Sequence, residues 1–96
     1  MIEVDEIEKE YSKHIIESPL IESVEMRSYL GCKVLLKMES SQESGSFKMR
    51  GMSYICSKYA SKGCKGFISS SGGNAGYAVA MSGMKLGLPV TIGTQI

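Results

Sequence analysis

Residues 66–92 read GFISSSGGNAGYAVAMSGMKLGLPVTI, and the apolar period changes three times along them. Residues 66–69 form a short apolar run that suits a strand, and Ser70-Ser71-Gly72-Gly73 suits a tight turn. A helix is expected from about Asn74 to Leu86. Its packing face would be Ala75, Ala78, Val79, Ser82 and Gly83, small enough to lie close against a sheet. Gly87 stands where a helix C-terminal cap belongs, and Pro89 opens a third strand through Ile92.

The same order is visible upstream. Residues 34–38 are short and apolar with Lys33 and Lys37 at the rims, a buried strand by pattern. Residues 40–45 are small and polar, hence a loop. A helix is expected over about 46–61, with a stripe of Met52, Ile55, Cys56 and Tyr59, and Gly63 at its left-handed cap. Strand, helix, strand, helix, strand predicts an α/β fold, a partial doubly wound parallel sheet of βαβαβ type. Before it lies an N-terminal helical or extended segment. A polar, acidic helix to about His14 carries a thin stripe of Ile2, Ile7, Tyr11 and Ile15, and Pro19 ends any helix there.

At 96 residues the chain holds at most one small domain, and a core this size is marginal. A net charge of +1 argues against a dedicated nucleic-acid binder. The acids cluster before Arg27. From there on only Glu39 and Glu43 are acidic against nine Lys and Arg, which suits either a solvated basic face or attraction of a phosphate or carboxylate. Cys32, Cys56 and Cys64 form no CxxC pair, so neither a disulfide framework nor a metal site is expected, and buried, reduced thiols of a cytoplasmic protein are. No secretory signal and no membrane span is visible.

Three features carry chemistry. Lys48 lies four residues before Met52, in the first turn of the expected helix and on its core-facing side. Burial and the positive helix end both disfavour the ammonium, which suits an amine that must form an imine. A lysine whose stem packs while its head reaches water is the alternative. The turn 70–74 offers backbone N–H groups at a helix N-terminus, an anion site or simply a tight connection. There Asn74 can cap the helix or donate its amide to a ligand. It is no Rossmann or P-loop fingerprint. The loop 40–46 places hydroxyls and Glu43 near Lys48, with Ser46 close to the helix cap.

The run Glu39-Ser40-Ser41-Gln42-Glu43-Ser44-Gly45-Ser46-Phe47-Lys48-Met49-Arg50-Gly51 resembles the lysine motif S-G-S-F-K-x-R-G of the pyridoxal-phosphate (PLP) serine/threonine dehydratases. Ser70-Ser71-Gly72-Gly73-Asn74-Ala75-Gly76 resembles their substrate loop, and Ser18-Pro19-Leu20-Ile21 also fits. Within this fold type II group the likeness is closest to L-serine dehydratase. Cysteine synthases carry a different lysine pattern, and serine racemases usually have His where this chain has Ala75.

The resemblance implies pyridoxal 5′-phosphate held covalently by Lys48, with Phe47 packed on its ring and Asn74 bonded to the ring oxygen. It implies a substrate carboxylate held by Ser71, Gly72, Asn74 and Ala75. Lys48 would then remove the α-proton, and β-elimination would turn L-serine into pyruvate and ammonia, or L-threonine into 2-oxobutanoate. It further implies an amino-acid substrate, often a homodimer, and no nucleic-acid or membrane partner. Residues 1–32 would belong to the larger domain of the family and residues 33–96 to a partial α/β domain with the lysine and substrate loop. The cofactor-phosphate cup and the partner of the pyridine nitrogen would lie beyond this stretch, since family members run to roughly three times this length and residues 93–96 depart from the expected continuation. Incomplete cover of the sheet is therefore expected, with exposed apolar surface, instability and no turnover by the chain alone. Two rivals are a non-catalytic partner of a full-length enzyme and an unrelated anion-binding module.

Overall fold

The computed structural model describes residues 4–93. Helix α1 spans Val4–Ser12, strand β1 Leu20–Glu22, helix α2 Val24–Leu30 and strand β2 Leu35–Lys37. A 3-10 turn at Glu39–Ser41 leads to helix α3, Lys48–Ser61. Strand β3 (Phe67–Ser69), helix α4 (Asn74–Leu86) and strand β4 (Val90–Ile92) follow. Ile2 and residues 94–96 lie outside the described residues.

The unit β3–α4–β4 takes the expected form, with β3 and β4 parallel and Phe67, Ile68 and Ser69 opposite Val90, Thr91 and Ile92. Period two puts Phe67, Ser69, Val90 and Ile92 on the half-buried face and Ile68 on the other, where it is 85% exposed. Helix α4 lies so close to the turn before it and to this pair that two of its glycines are sterically required. A Cβ on Gly76 would stand 1.8 Å from the Ser71 carbonyl oxygen, and one on Gly83 would stand 2.2 Å from Val90 Cγ2. The buried face of α4 is Gly76, Ala78, Val79, Ser82 and Gly83. Gly76 thus replaces the expected Ala75, which is half-buried.

Helix α3 packs along α4. Its buried residues are Met49, Ser53, Cys56 and Ser57. Of the expected stripe only Cys56 is buried, and Ile55 and Tyr59 are about half exposed. The face α3 buries is therefore Met49, Ser53, Cys56 and Ser57, at spacings of four, three and one, and it shares only Cys56 with the expected stripe. Both C-terminal caps are as expected, with Gly63 at φ +93° and Gly87 at φ +72°. Helix α1 rests on α3 through Ile7, buried, and through an edge-to-face contact of Tyr11 with Tyr54 at 5.7 Å.

The α/β class holds, but the arrangement of strands departs from a single parallel series. Strand β2 pairs antiparallel with β1, Leu20 opposite Lys37 and Glu22 opposite Leu35. Among the described residues each sheet has two strands. Strand order along a chain does not determine which neighbour a strand meets, and β1 reaches β2 through the short helix α2. That pairing crosses the boundary expected at residue 33. Helix α2 buries none of its residues; Ser23 caps its start by accepting from the Met26 N–H at 3.2 Å, and Gly31 at φ +71° ends it. Cys32, expected buried, is exposed. No helix of the described residues is long and apolar enough to cross a membrane.

Candidate active site

Lys48 is the first residue of α3, and its N–H donates to the Ser46 hydroxyl at 3.3 Å. Ser46 therefore supports the helix start, as the loop pattern suggested. Lys48 is half-buried and lines a cleft of about 500 Å³ together with Phe47, Met52 and Ala75. Lys37, Glu39, Arg50 and Gly51 complete the lining. This volume lies within the roughly 300–1,000 Å³ of small-molecule sites. Phe47 is 64% exposed and brings an aromatic ring to the same lining as Lys48.

Ala75 belongs to the first turn of α4, so the cleft brings the lysine to the head of that helix. Gly73 is the N-cap of α4, with no side-chain cap. Asn74 is the first helical residue, so it does not cap the helix. Its exposed side chain is available for another partner. The first N–H groups of a helix lack intrahelical acceptors and carry the positive end of its dipole. Ser71 accepts from the Gly73 N–H at 3.2 Å, which tightens the turn. Ser71, Gly72 and Asn74 adjoin the cleft along the chain, but only Ala75 of the loop is in its lining.

A polar knot holds the cleft's other end. The Glu39 carboxylate accepts from Arg50 twice, Nε at 2.8 Å and Nη2 at 2.9 Å, and from the Ser18 hydroxyl at 2.5 Å. Arg50 and then Ser18 hold the Glu39 carboxyl down to about 2. Gln42 is buried; its amide donates to the Ile16 carbonyl at 2.7 Å and accepts from the Ile16 N–H at 2.9 Å. Lys37 donates to the Ser18 carbonyl at 2.6 Å. None of these roles was read from the sequence. The only available signal was Glu39 eleven residues before Arg50 within the lysine motif, and that separation has no helical or strand meaning.

The chain belongs to the family of pyridoxal-phosphate dependent enzymes, whose pattern matches residues 11–95. It is 47% identical over 77 residues to the L-serine dehydratase/L-threonine deaminase of Mus musculus, which covers 80% of this chain and 24% of that protein. Maize serine racemase superposes with a TM-score of 0.81 at 27% identity, over 94% of this chain and 29% of that one. An L-serine ammonia-lyase from Rhizomucor miehei superposes with a TM-score of 0.72 at 33% identity, over 84% and 26% respectively. The chain thus spans about a quarter of the length of the curated relatives it matches.

Proposed function

We propose that this chain supplies the cofactor lysine and the substrate loop of a PLP-dependent lyase that eliminates the β-hydroxyl of L-serine, releasing pyruvate and ammonia. L-Threonine, one methyl larger, would give 2-oxobutanoate. The observation that carries this reading is the shared cleft: Lys48 and Ala75, from two separate motifs, line one cavity. The residues present fit the cofactor in kind, with a primary amine, an aromatic ring and an uncapped helix N-terminus around a cavity of suitable size.

When bound, pyridoxal phosphate supplies the electron-withdrawing system that accepts charge from the substrate's Cα. Lys48 Nζ would hold the cofactor and, once released, take the proton from Cα. Phe47 would stack on the ring and exclude water from one face. The Asn74 amide would donate to the ring oxygen. Ser71, Gly72, Asn74 and Ala75 would orient the carboxylate with backbone N–H groups and the Ser71 hydroxyl, since a helix N-terminus favours an anion.

Reductive trapping with pyridoxal phosphate, followed by peptide mass mapping, tests the reading. Lys48 should label in clear preference to an exposed lysine such as Lys62, and Lys48→Ala should abolish the preferred label. Equal labelling of both lysines would sink it. The exposed apolar residues favour a second reading, a chain that works by joining a larger assembly. Tyr29 is 91% and Leu30 59% exposed. Selective Lys48 labelling on a monomer in sedimentation would exclude that alternative.

A further inference from the structure

The cleft holds three cationic side chains, Lys37, Lys48 and Arg50, and a single carboxylate, Glu39. A carboxylate withdrawn from water pairs with whatever cation reaches it, and an amine caught in such a pair is held as ammonium and cannot attack a carbonyl. Here the competition is settled by geometry. Arg50 occupies both oxygens of Glu39, Nε on Oε2 at 2.8 Å and Nη2 on Oε1 at 2.9 Å. Ser18 adds a bond to Oε1 at 2.5 Å and Gln42 one to Oε2 at 3.3 Å. Lys37 is directed to the Ser18 carbonyl. The Glu39 side chain is only 15% exposed. Among the described residues Lys48 enters no ion pair.

We propose that Arg50 is a positioning residue that sequesters Glu39 and so keeps the Lys48 amine free for the cofactor. The planar fork of the guanidinium suits this task, because it satisfies both carboxylate oxygens at once. The carboxylate in turn fixes the start of the loop that delivers Lys48. This proposal rests on the reading of Lys48 as the cofactor lysine.

The pH profile of reductive trapping at Lys48 by pyridoxal phosphate tests it. Arg50→Gln leaves Glu39 without its partner. The midpoint of adduct formation should then move up by about one pH unit, about tenfold less adduct at a fixed pH below the midpoint. The double variant Glu39→Gln/Arg50→Gln removes the competing charge and should return the profile to that of the parent chain. Arg50→Lys keeps the charge without the fork and should fall between them. It replaces Arg50→Gln should that variant lose helical circular dichroism. A parent-like midpoint in the single variants, or a double variant as displaced as the single, would overturn the proposal. No preferred adduct at Lys48 in the parent would instead overturn the reading of Lys48 itself.

Discussion

At the scale of single residues, two ionisable groups tie stability to pH. Burial pushes the His14 imidazole below its usual 6.5, with Glu10 opposing and Lys85 reinforcing the change. Its Nδ1 lies 3.3 Å from the fully buried Ser53 hydroxyl. A base with a depressed folded value binds its proton more readily when unfolded, so stability is lost as pH falls below 6.5. Glu39 has the opposite chemistry but the same sign. Its folded value of about 2 lies below the ordinary 4.5, so its contribution is present above 4.5 and disappears as pH falls toward 2. Denaturant titrations from pH 7 to 2 should show two successive losses. Glu39→Gln should remove the pH dependence of the lower one, and His14→Gln that of the upper. A lower step of unchanged size in Glu39→Gln would show that another carboxylate produces it.

Elements meet through glycine and serine as much as through apolar side chains. Gly76 and Gly51 make a paired test, since both lie in helices. A methyl on Gly76 would collide with the Ser71 carbonyl, whereas one on Gly51 meets nothing within 4 Å. Gly76→Ala should therefore cost about 1–3 kcal/mol by overpacking, and Gly51→Ala should add about 0.5–1 kcal/mol from helix propensity. Thermal melts of the two variants beside the parent would settle it, and a stabilised Gly76→Ala would contradict the close packing of α4. The sequence revealed α4 well, its bounds matching Asn74–Leu86, because small residues, Gly87 and Pro89 all agreed. It concealed β1 and α2. Three residues are too few to show alternation, and a helix with no buried residue shows no stripe. The structure gives α2 its two ends at Ser23 and Gly31, neither of which stood out along the chain.

The whole molecule is a thin slab, 50 × 40 × 17 Å, with a radius of gyration of 16.2 Å. A compact domain of this length would have about 12.5 Å. The difference is exposed apolar surface: Leu20, Val24, Tyr29 and Leu30 on one sheet and its helix, Ile68 on the other. Large apolar side chains left this exposed favour association in water. Light scattering should show mass rising with concentration, and a concentration-independent monomer would refute that. The thiols report the same architecture. Cys32 is exposed, while burial, with Cys64 nearby, pushes Cys56 up to about 11. A thiol reagent should modify Cys32 first and Cys56 only after unfolding. Early Cys56 labelling would mean that the α3–α4 contact opens readily.

The chain's own order of residues determined the α/β class, both glycine caps, the helix that carries Lys48 and the turn that heads α4. These are local matters of dihedral preference and periodicity, resolved within a few neighbouring residues. Three things waited for the tertiary structure: which strand β2 would join, which side of α3 would be buried, and which cation would claim Glu39. Each depends on groups far apart in sequence approaching within a few ångströms, and no repeating pattern along a chain encodes such a distance.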